Sequence, residues 1–360
     1  MAETSAGPVA VQIAPNDHPP FRDICAVYER AFESLGVRHR TLFLAPPFGD
    51  ALAGATYLGL DDVSRVRQAG RALRAAISGA PVLAVCHRYR AYRVLRASGL
   101  AVPRVVAVAH EFGFFKRAQR RLERRLFSRH VLFAGVSPAV QAELGAAVED
   151  PLCLPNAIDV AELDRARVGR EEALAVLGVP HSQSMTIGLV GRLVRKKSPG
   201  LAIDAIRTLV KRGLDVRLLV VGDGPLAREM QERSADLPVT FCGFVPDARR
   251  LMLAFDALLL TSEEVEAFGM VALEAMCAEV PVVTGPIPGP QFVLAGSGYY
   301  YNDREPEAVA DALGQVLADR RSGVLADRLR RGRERALREF SVAALAGHLD
   351  DLFFRNASRP

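Results

Sequence analysis

No stretch of the 360-residue chain approaches the roughly 18 consecutive apolar residues that a bilayer-spanning helix requires. Met1 to Pro8 is small and polar and carries no hydrophobic signal region. The expectation is therefore a cytoplasmic protein. Cysteine is sparse: Cys25, Cys86, Cys153, Cys242 and Cys277 are scattered, odd in number and never in Cys-x-x-Cys spacing. That excludes a disulfide or zinc framework and predicts buried thiols in a reducing compartment. No short-period repeat is present either.

Half of the residues are apolar and 24% are charged, which describes a globular chain. Its length exceeds one typical core and suits two domains. The net charge of +5 favours anionic partners without naming one. Strand and helix patterns alternate, the sign of parallel sheets covered by helices. In the first half, strands are expected at Val9–Ala14, Arg40–Leu44, Val82–Cys86, Val105–Ala109 and Phe133–Val136, with helices at Asp23–Leu35 and Ser64–Ile77. The second half restarts with a strand at Met185–Val190. Further strands follow at Arg217–Val221, Val239–Phe241, Ala257–Leu260 and Val282–Val283. The seam is placed at Val179–Ser184, giving domains 1–180 and 181–340. Ser341–Phe354 has an apolar stripe that needs burial.

The most informative segment runs from Glu266 through Phe268, Gly269, Met270 and Glu274 to Pro281-Val282-Val283. Two carboxylates eight residues apart bracket a Phe-Gly turn and an apolar helix. Eight residues advance a helix by about two turns and a fifth, so both acids can face one cleft. The helix start offers unpaired N–H groups and a positive dipole end, suited to a diphosphate. Read alone, the same segment is equally an amphipathic helix with solvated glutamates.

The pattern resembles the Glu-x7-Glu motif of retaining glycosyltransferases of the GT-B fold, family 4. The resemblance implies two facing Rossmann-like domains with parallel sheets, and a last helix crossing back onto the N-terminal domain. Gly188-Leu189-Val190-Gly191-Arg192-Leu193 with Lys196 and Lys197 is similar to the family's Gly-Arg-Leu…Lys element. It implies that Arg192 and Lys197 hold the donor diphosphate, whose charge grows as the glycosyl bond breaks. Glu274 would then hold the ribose and Glu266 would orient the donor sugar. Gly222-Asp223-Gly224-Pro225 resembles the family's Gly-x-Gly-Pro turn, with Gly222 close to the nucleotide. Gly243-Phe244-Val245 resembles its segment near the base, and Pro286–Pro290 reads as a stiff turn walling the sugar pocket.

In the first half, His110-Glu111 follows an apolar strand, where ligands bind in open α/β sheets. The resemblance places His110 at the reaction centre, with Glu111 secondary. Gly135-Val136-Ser137 and Pro155-Asn156-Ala157-Ile158-Asp159 match two further family segments, with Ala157 in place of glycine. The family's Gly-Gly loop after the first strand is missing. Asn16-Asp17-His18-Pro19-Pro20 stands there, so Asp17 or His18 is expected to reach the acceptor by its side chain.

The segment Phe112–His130 holds Lys116, Arg117, Arg120, Arg121, Arg124, Arg125 and Arg129 against one acid, Glu123, with Phe114, Phe115, Leu122, Leu126 and Phe127 interleaved. A basic amphipathic helix over 116–130 suits an anionic membrane surface or a phosphorylated lipid acceptor. A solvated face over a core stripe reads equally well, and nucleic acid is not expected because no binding motif accompanies the charge. The resemblance implies no metal and no cofactor, and no Asp-x-Asp signature stands at a strand end. The donor would be a nucleotide sugar, UDP-linked by preference. The acceptor would be a glycan or glycolipid of lipopolysaccharide core or exopolysaccharide synthesis, reached at the inner face of the cytoplasmic membrane. Two other readings are a sugar-nucleotide epimerase of GT-B architecture and a catalytically silent nucleotide-sugar-binding protein.

Overall fold

The computed structural model describes residues 9–60, 65–77, 79, 81–127, 130–263 and 266–353. The chain forms two compact units. The first contains β1 (Val9–Ala14), β2 (Arg38–Phe43), β3 (Thr56–Tyr57), β4 (Leu83–His87), β5 (Arg104–Ala109), β6 (Val131–Gly135) and β7 (Leu152–Cys153). They lie in the order β3-β2-β1-β4-β5-β6-β7, and all pairings are parallel. The second contains β8 (Met185–Val190), β9 (Val216–Val221), β10 (Val239–Gly243), β11 (Ala257–Leu260), β12 (Val282–Thr284) and β13 (Tyr299–Tyr300). Their order is β10-β9-β8-β11-β12-β13, again parallel throughout. Central strands such as β4 and β11 are buried along their whole length, as expected where helices cover both faces.

The boundary lies at Ile158, not at 180. Residues 159–180 dock on the second unit for identifiable reasons. Helices Val160–Ala166 and Arg170–Val176 pack against the 3₁₀ helix Ala248–Ala254. Val168 N–H donates to the Arg250 carbonyl, Arg249 pairs with Glu162, and Arg333 pairs with Asp164. The chain returns to the first unit from Glu339 onward. There the helix Val342–Phe353 buries Leu345, Leu349 and Phe353 against the helix Phe21–Ser34. The apolar stripe expected to need burial thus finds it. Phe354 lies outside the described residues.

Asp256 anchors the edge of the second unit. Its carboxylate accepts from the Thr186 N–H at 2.8 Å, from both terminal nitrogens of Arg170 at 3.2 and 2.8 Å, and from Arg320 at 2.8 Å. Burial raises this carboxyl, but the Thr186 N–H and the two guanidiniums outweigh it and hold it below its ordinary 3.8. Asp256→Asn should lower stability by about 2–4 kcal/mol, because both arginines lose their charge partner. The folded group has the depressed pKa. Its stabilisation is present above the ordinary value and fades as pH falls through the folded one. The gap between wild type and variant in urea denaturation should therefore close below pH 3.8. A constant gap down to lower pH would contradict this account.

All five cysteines are free thiols; Cys25, Cys86 and Cys277 are buried, whereas Cys153 and Cys242 are only partly so. Among the described residues, no helix is long and apolar enough to cross a membrane.

Candidate active site

In the second sheet the chain leaves β8 toward β9 on one side and β11 toward β12 on the other. The carboxyl ends of β8 and β11 therefore flank a topological switch point, where open α/β sheets leave a crevice. A pocket opens there. Leu189, Val190, Gly191, Arg192, Leu193, Lys197 and Pro199 line it from the β8 side, and Leu260, Thr261 and Ser262 from the β11 side.

The loop carrying Arg192 is held by the loop after β9. Gly191 N–H donates to Val221 O, Leu193 N–H to Asp223 O, and Leu226 N–H to Leu193 O. Gly222 has φ +140° and comes so close that a Cβ would stand 2.0 Å from the Gly191 carbonyl oxygen. A Cβ on Gly224 would stand 2.4 Å from the Leu193 carbonyl oxygen. The Gly-Asp-Gly turn thus needs its glycines to let one loop press on the next. Gly222, expected beside the nucleotide, is accounted for by this bracing. The Arg192 side chain is exposed.

Lys197 ends the 3₁₀ turn Arg195–Lys197. Its Nζ lies 2.8 Å from Glu266 Oε2, and Ser262 Oγ donates to the same oxygen at 2.7 Å. Thr261 Oγ1 donates to the Lys197 carbonyl at 2.9 Å. The Arg304 guanidinium donates to the Thr261 and Ser262 carbonyls at 3.0 and 2.8 Å. Lys197 and Glu266, assigned from sequence to different parts of one donor, therefore sit on each other. Thr261, Ser262 and Arg304 were not foreseen. The first two could have been found, since they follow the apolar run of β11 directly at a sheet's carboxyl edge.

Glu266 is fixed through its backbone. Gly289 N–H donates to Glu266 O at 3.1 Å, and a Cβ on Gly289 would stand 2.4 Å from Phe268 N. Pro286–Pro290 is not only a turn: Pro288 opens the helix Pro288–Leu294, where a missing N–H costs nothing. Gly269, at φ +93°, caps the helix Met270–Cys277 with no side-chain hydrogen bond. Phe268 is buried, its ring edge-on to Phe292 at 6.3 Å, so it fills core rather than walls a pocket. Met270 and Glu274 are half-buried on the helix. Glu274 is not among the residues lining the β8–β11 pocket. Gly243 uses its carbonyl to accept from Gly222 N–H at 2.7 Å, and Phe244 is well exposed.

In the first unit the switch point falls between β1 and β4. His110 follows β5, and its Nε2 lies 2.9 Å from Nδ1 of His87 at the end of β4. Burial, with His87 and Arg88 nearby, holds the His110 pKa well below its ordinary value, so the ring is neutral. Glu111 is exposed and pairs with Arg88 at 3.2 Å. Arg88 itself has φ +73°, a backbone state that a long side chain adopts at a cost.

Asp17 requires a correction. Its side chain is fully buried and accepts from Phe48 N–H at 2.9 Å, Tyr57 Oη at 2.9 Å and Arg22 at 3.2 Å. Burial raises its pKa, but these donors outweigh it and leave the group below the ordinary value. The carboxylate is spent on clasping the loop 45–57, so it is not offered to an acceptor. His18 is exposed and lies against the Phe48 ring at 4.1 Å.

The basic segment is also rearranged. The helix spans Ala118–Phe127 rather than 116–130, and Arg129 lies outside the described residues. Phe114 and Phe115 join the core, while Leu122 and Leu126 are exposed. Arg120 and Arg121 turn back to cap carbonyls of residues 113–116. Glu123 is held by Tyr89, Arg93 and Arg96.

Residues 184–319 match the family model described as Glycosyl transferases group 1. Both units are Rossmann-like, and solved glycosyltransferase structures match nearly the whole chain. The fold is GT-B. A glycosyltransferase from Rickettsia africae superposes with a TM-score of 0.82 at 15% identity, covering 98% of this chain and 100% of its own. Anabaena HepE, in complex with UDP-glucose, gives a TM-score of 0.70 at 19% identity over 95% of this chain and 98% of its own. In sequence, the chain is 33% identical over 221 residues to 2-deoxystreptamine glucosyltransferase of Streptomyces kanamyceticus, covering 57% of this chain. It spans 54% of that relative's length.

Proposed function

We propose that the chain is a retaining, metal-independent glycosyltransferase that moves a sugar from a nucleotide-sugar donor, UDP-linked by preference, to a glycan or glycolipid. The observation that carries this reading is the Lys197–Glu266–Ser262 cluster beside Arg192, at the switch point and inside the segment matching the family model. Arg192 and Lys197 would neutralise the departing diphosphate, with the uncapped start of the helix Met270–Cys277 adding N–H donors. Glu266 would hold Lys197 in place and accept from a donor-sugar hydroxyl. Glu274, one turn further along that helix, would hold the ribose. His110 would contact a sugar hydroxyl. Leaving and entering oxygens would share one face of the sugar.

The first test is thermal stabilisation by UDP-, GDP-, ADP- and dTDP-sugars, with chelator present. A shift confined to one base family, reduced in Glu274→Ala, supports the donor site. No shift with any of them removes it. Incubating the stabilising donor with 2-deoxystreptamine or with a lipid-linked glycan then distinguishes transfer from acceptor-free epimerisation.

A lipopolysaccharide-core or exopolysaccharide acceptor at the inner membrane face rests on the exposed Leu122 and Leu126 beside exposed Arg117, Arg121 and Arg125. Arg117, Arg121 and Arg125 replaced by glutamine, together with Leu122→Ser, should lower the partition coefficient onto anionic vesicles by about a hundredfold, read by co-flotation, since each surface cation contributes about 1 kcal/mol. Undiminished flotation would reduce this helix to a solvated face.

A further inference from the structure

A chain of hydrogen bonds crosses the interior of the first unit and has a fixed direction. Gln12 on β1 is fully buried. Its Nε2 donates to the Cys25 carbonyl at 3.0 Å and to Thr41 Oγ1 at 2.7 Å. Thr41 in turn donates to a Glu29 carboxylate oxygen. A backbone carbonyl can only accept, so the amide nitrogen of Gln12 must face Cys25. Turning the amide over would set two acceptors against each other. Gln12 Oε1 therefore faces His87 Nε2, at 3.3 Å, and that nitrogen carries the hydrogen.

His87 is fully buried, and burial drags its pKa down to about 3. A neutral imidazole with hydrogen on Nε2 has a bare Nδ1. The only hydrogen available between His87 Nδ1 and His110 Nε2, 2.9 Å apart, is then the one on His110. His110 is neutral as well, which leaves its own Nδ1 without a hydrogen. That atom is buried and without a hydrogen-bond partner among the described residues, and so is Oδ1 of Asn156, which lies beside it. An Nδ1 without hydrogen requires the Asn156 amide to turn its NH₂ toward the ring, which gives Nδ1 a donor.

We infer that His87 is a positioning residue: through Gln12 it locks His110 in the Nε2–H tautomer, so that His110 meets substrate as a hydrogen-bond acceptor. The consequence for substrate is specific. An acceptor nitrogen pairs with an O–H or N–H, so it takes a sugar hydroxyl, directly or through the Asn156 amide. It neither donates to a phosphate oxygen nor supplies positive charge. The surroundings fit. Phe21 and Tyr28 set ring edges against the two imidazoles, and the Arg88 guanidinium lies over Phe21 and pairs outward with Glu111. Arg88 favours a neutral His110, and Cys25, whose thiol burial keeps protonated, adds no charge. Glu29 stands at the far end of the chain, beyond Thr41. The tautomer is independent of the proposed activity; its catalytic use rests on that activity.

The experiment is ¹⁵N-histidine NMR on the full chain. Both rings are expected as Nε2–H with bare Nδ1, unchanged between about pH 5 and 8, where an ordinary histidine titrates. Hydrogen on Nδ1 of His110, or averaging between tautomers, would overturn the inference. Two variants then test the use. In His87→Asn the side-chain oxygen replaces Nδ1 as acceptor, so the His110 signature and kcat should persist. His87→Phe removes the acceptor, and kcat should fall about tenfold to a hundredfold with Kd for the nucleotide sugar unchanged. If His87→Phe does not fold, Gln12→Met takes its place, because it removes what fixes His87. Full kcat in variants whose His110 tautomer has shifted would refute the positioning role. A wild type with no transferase activity would sink the proposed function, and the NMR result would still decide the tautomer.

Discussion

Alanine at both Arg192 and Lys197 should lower kcat by about a thousandfold while leaving the fold intact, since removing one preorganised donor to developing charge typically costs about a hundredfold or more. Lys197→Ala alone is informative in a further way. Glu266 would keep its bond from Ser262 but lose its cation, and an unpaired, largely buried carboxylate would then face the diphosphate proposed to leave there. The repulsion adds to the missing attraction. Lys197→Ala should therefore be more damaging than Arg192→Ala, whose exposed side chain leaves no partner stranded among the described residues. Removing the carboxylate in Lys197→Ala/Glu266→Gln should recover part of the loss. Steady-state rates with the best donor of the nucleotide panel decide this. Near-normal turnover in the double alanine variant would remove the β8–β11 pocket from catalysis.

The sequence made the strands legible because buried parallel strands are short apolar runs. Val9–Ala14, Met185–Val190 and Ala257–Leu260 were read with their observed limits. Edge strands such as Thr56–Tyr57 and Tyr299–Tyr300 were not seen, because two residues have no period to read. The helix Arg88–Ser98 was missed for a different reason. Arginines stand at four of its first nine positions and obscure the buried Tyr89, Ala91, Tyr92, Val94 and Leu95. The boundary was misplaced because Pro180, His181 and Ser182 mark a loop, whereas the division is set by packing of residues 159–180 on the 248–254 helix, which no local signal records. At the candidate site, motif spacing brought Arg192, Lys197 and Glu266 forward. It could not show that the last two share an ion pair, nor that Asp17 turns inward. Such facts depend on partners dozens of residues away, Phe48 and Tyr57 for Asp17. His87 was invisible for the same reason: a histidine closing an apolar run reads as core until Gln12 and His110 are placed beside it.

Gly222→Ala should cost about 3 kcal/mol of stability and most of the activity, although Gly222 touches no residue assigned a chemical role except through backbone. Two effects combine. The backbone at φ +140° is one that a Cβ resists, and the Cβ would overlap the Gly191 carbonyl oxygen at 2.0 Å. The same residue's N–H is tied to the Val221 carbonyl and the Leu193 N–H to the Asp223 carbonyl, so relief requires the Gly191–Leu193 loop to lift. Arg192 rides on that loop, and in the role proposed for it a displacement of about 1 Å would cost about a hundredfold in rate. Gly243→Ala provides the control. It also has positive φ, +69°, but nothing lies within 4 Å of its Cβ, so only the backbone strain of about 1 kcal/mol applies. Urea denaturation and kcat measured for both variants separate the contributions. If Gly222→Ala is no worse than Gly243→Ala in either measurement, the loop after β9 does not brace the Arg192 loop. If it loses stability but keeps kcat, the loop yields elsewhere and Arg192 holds its place.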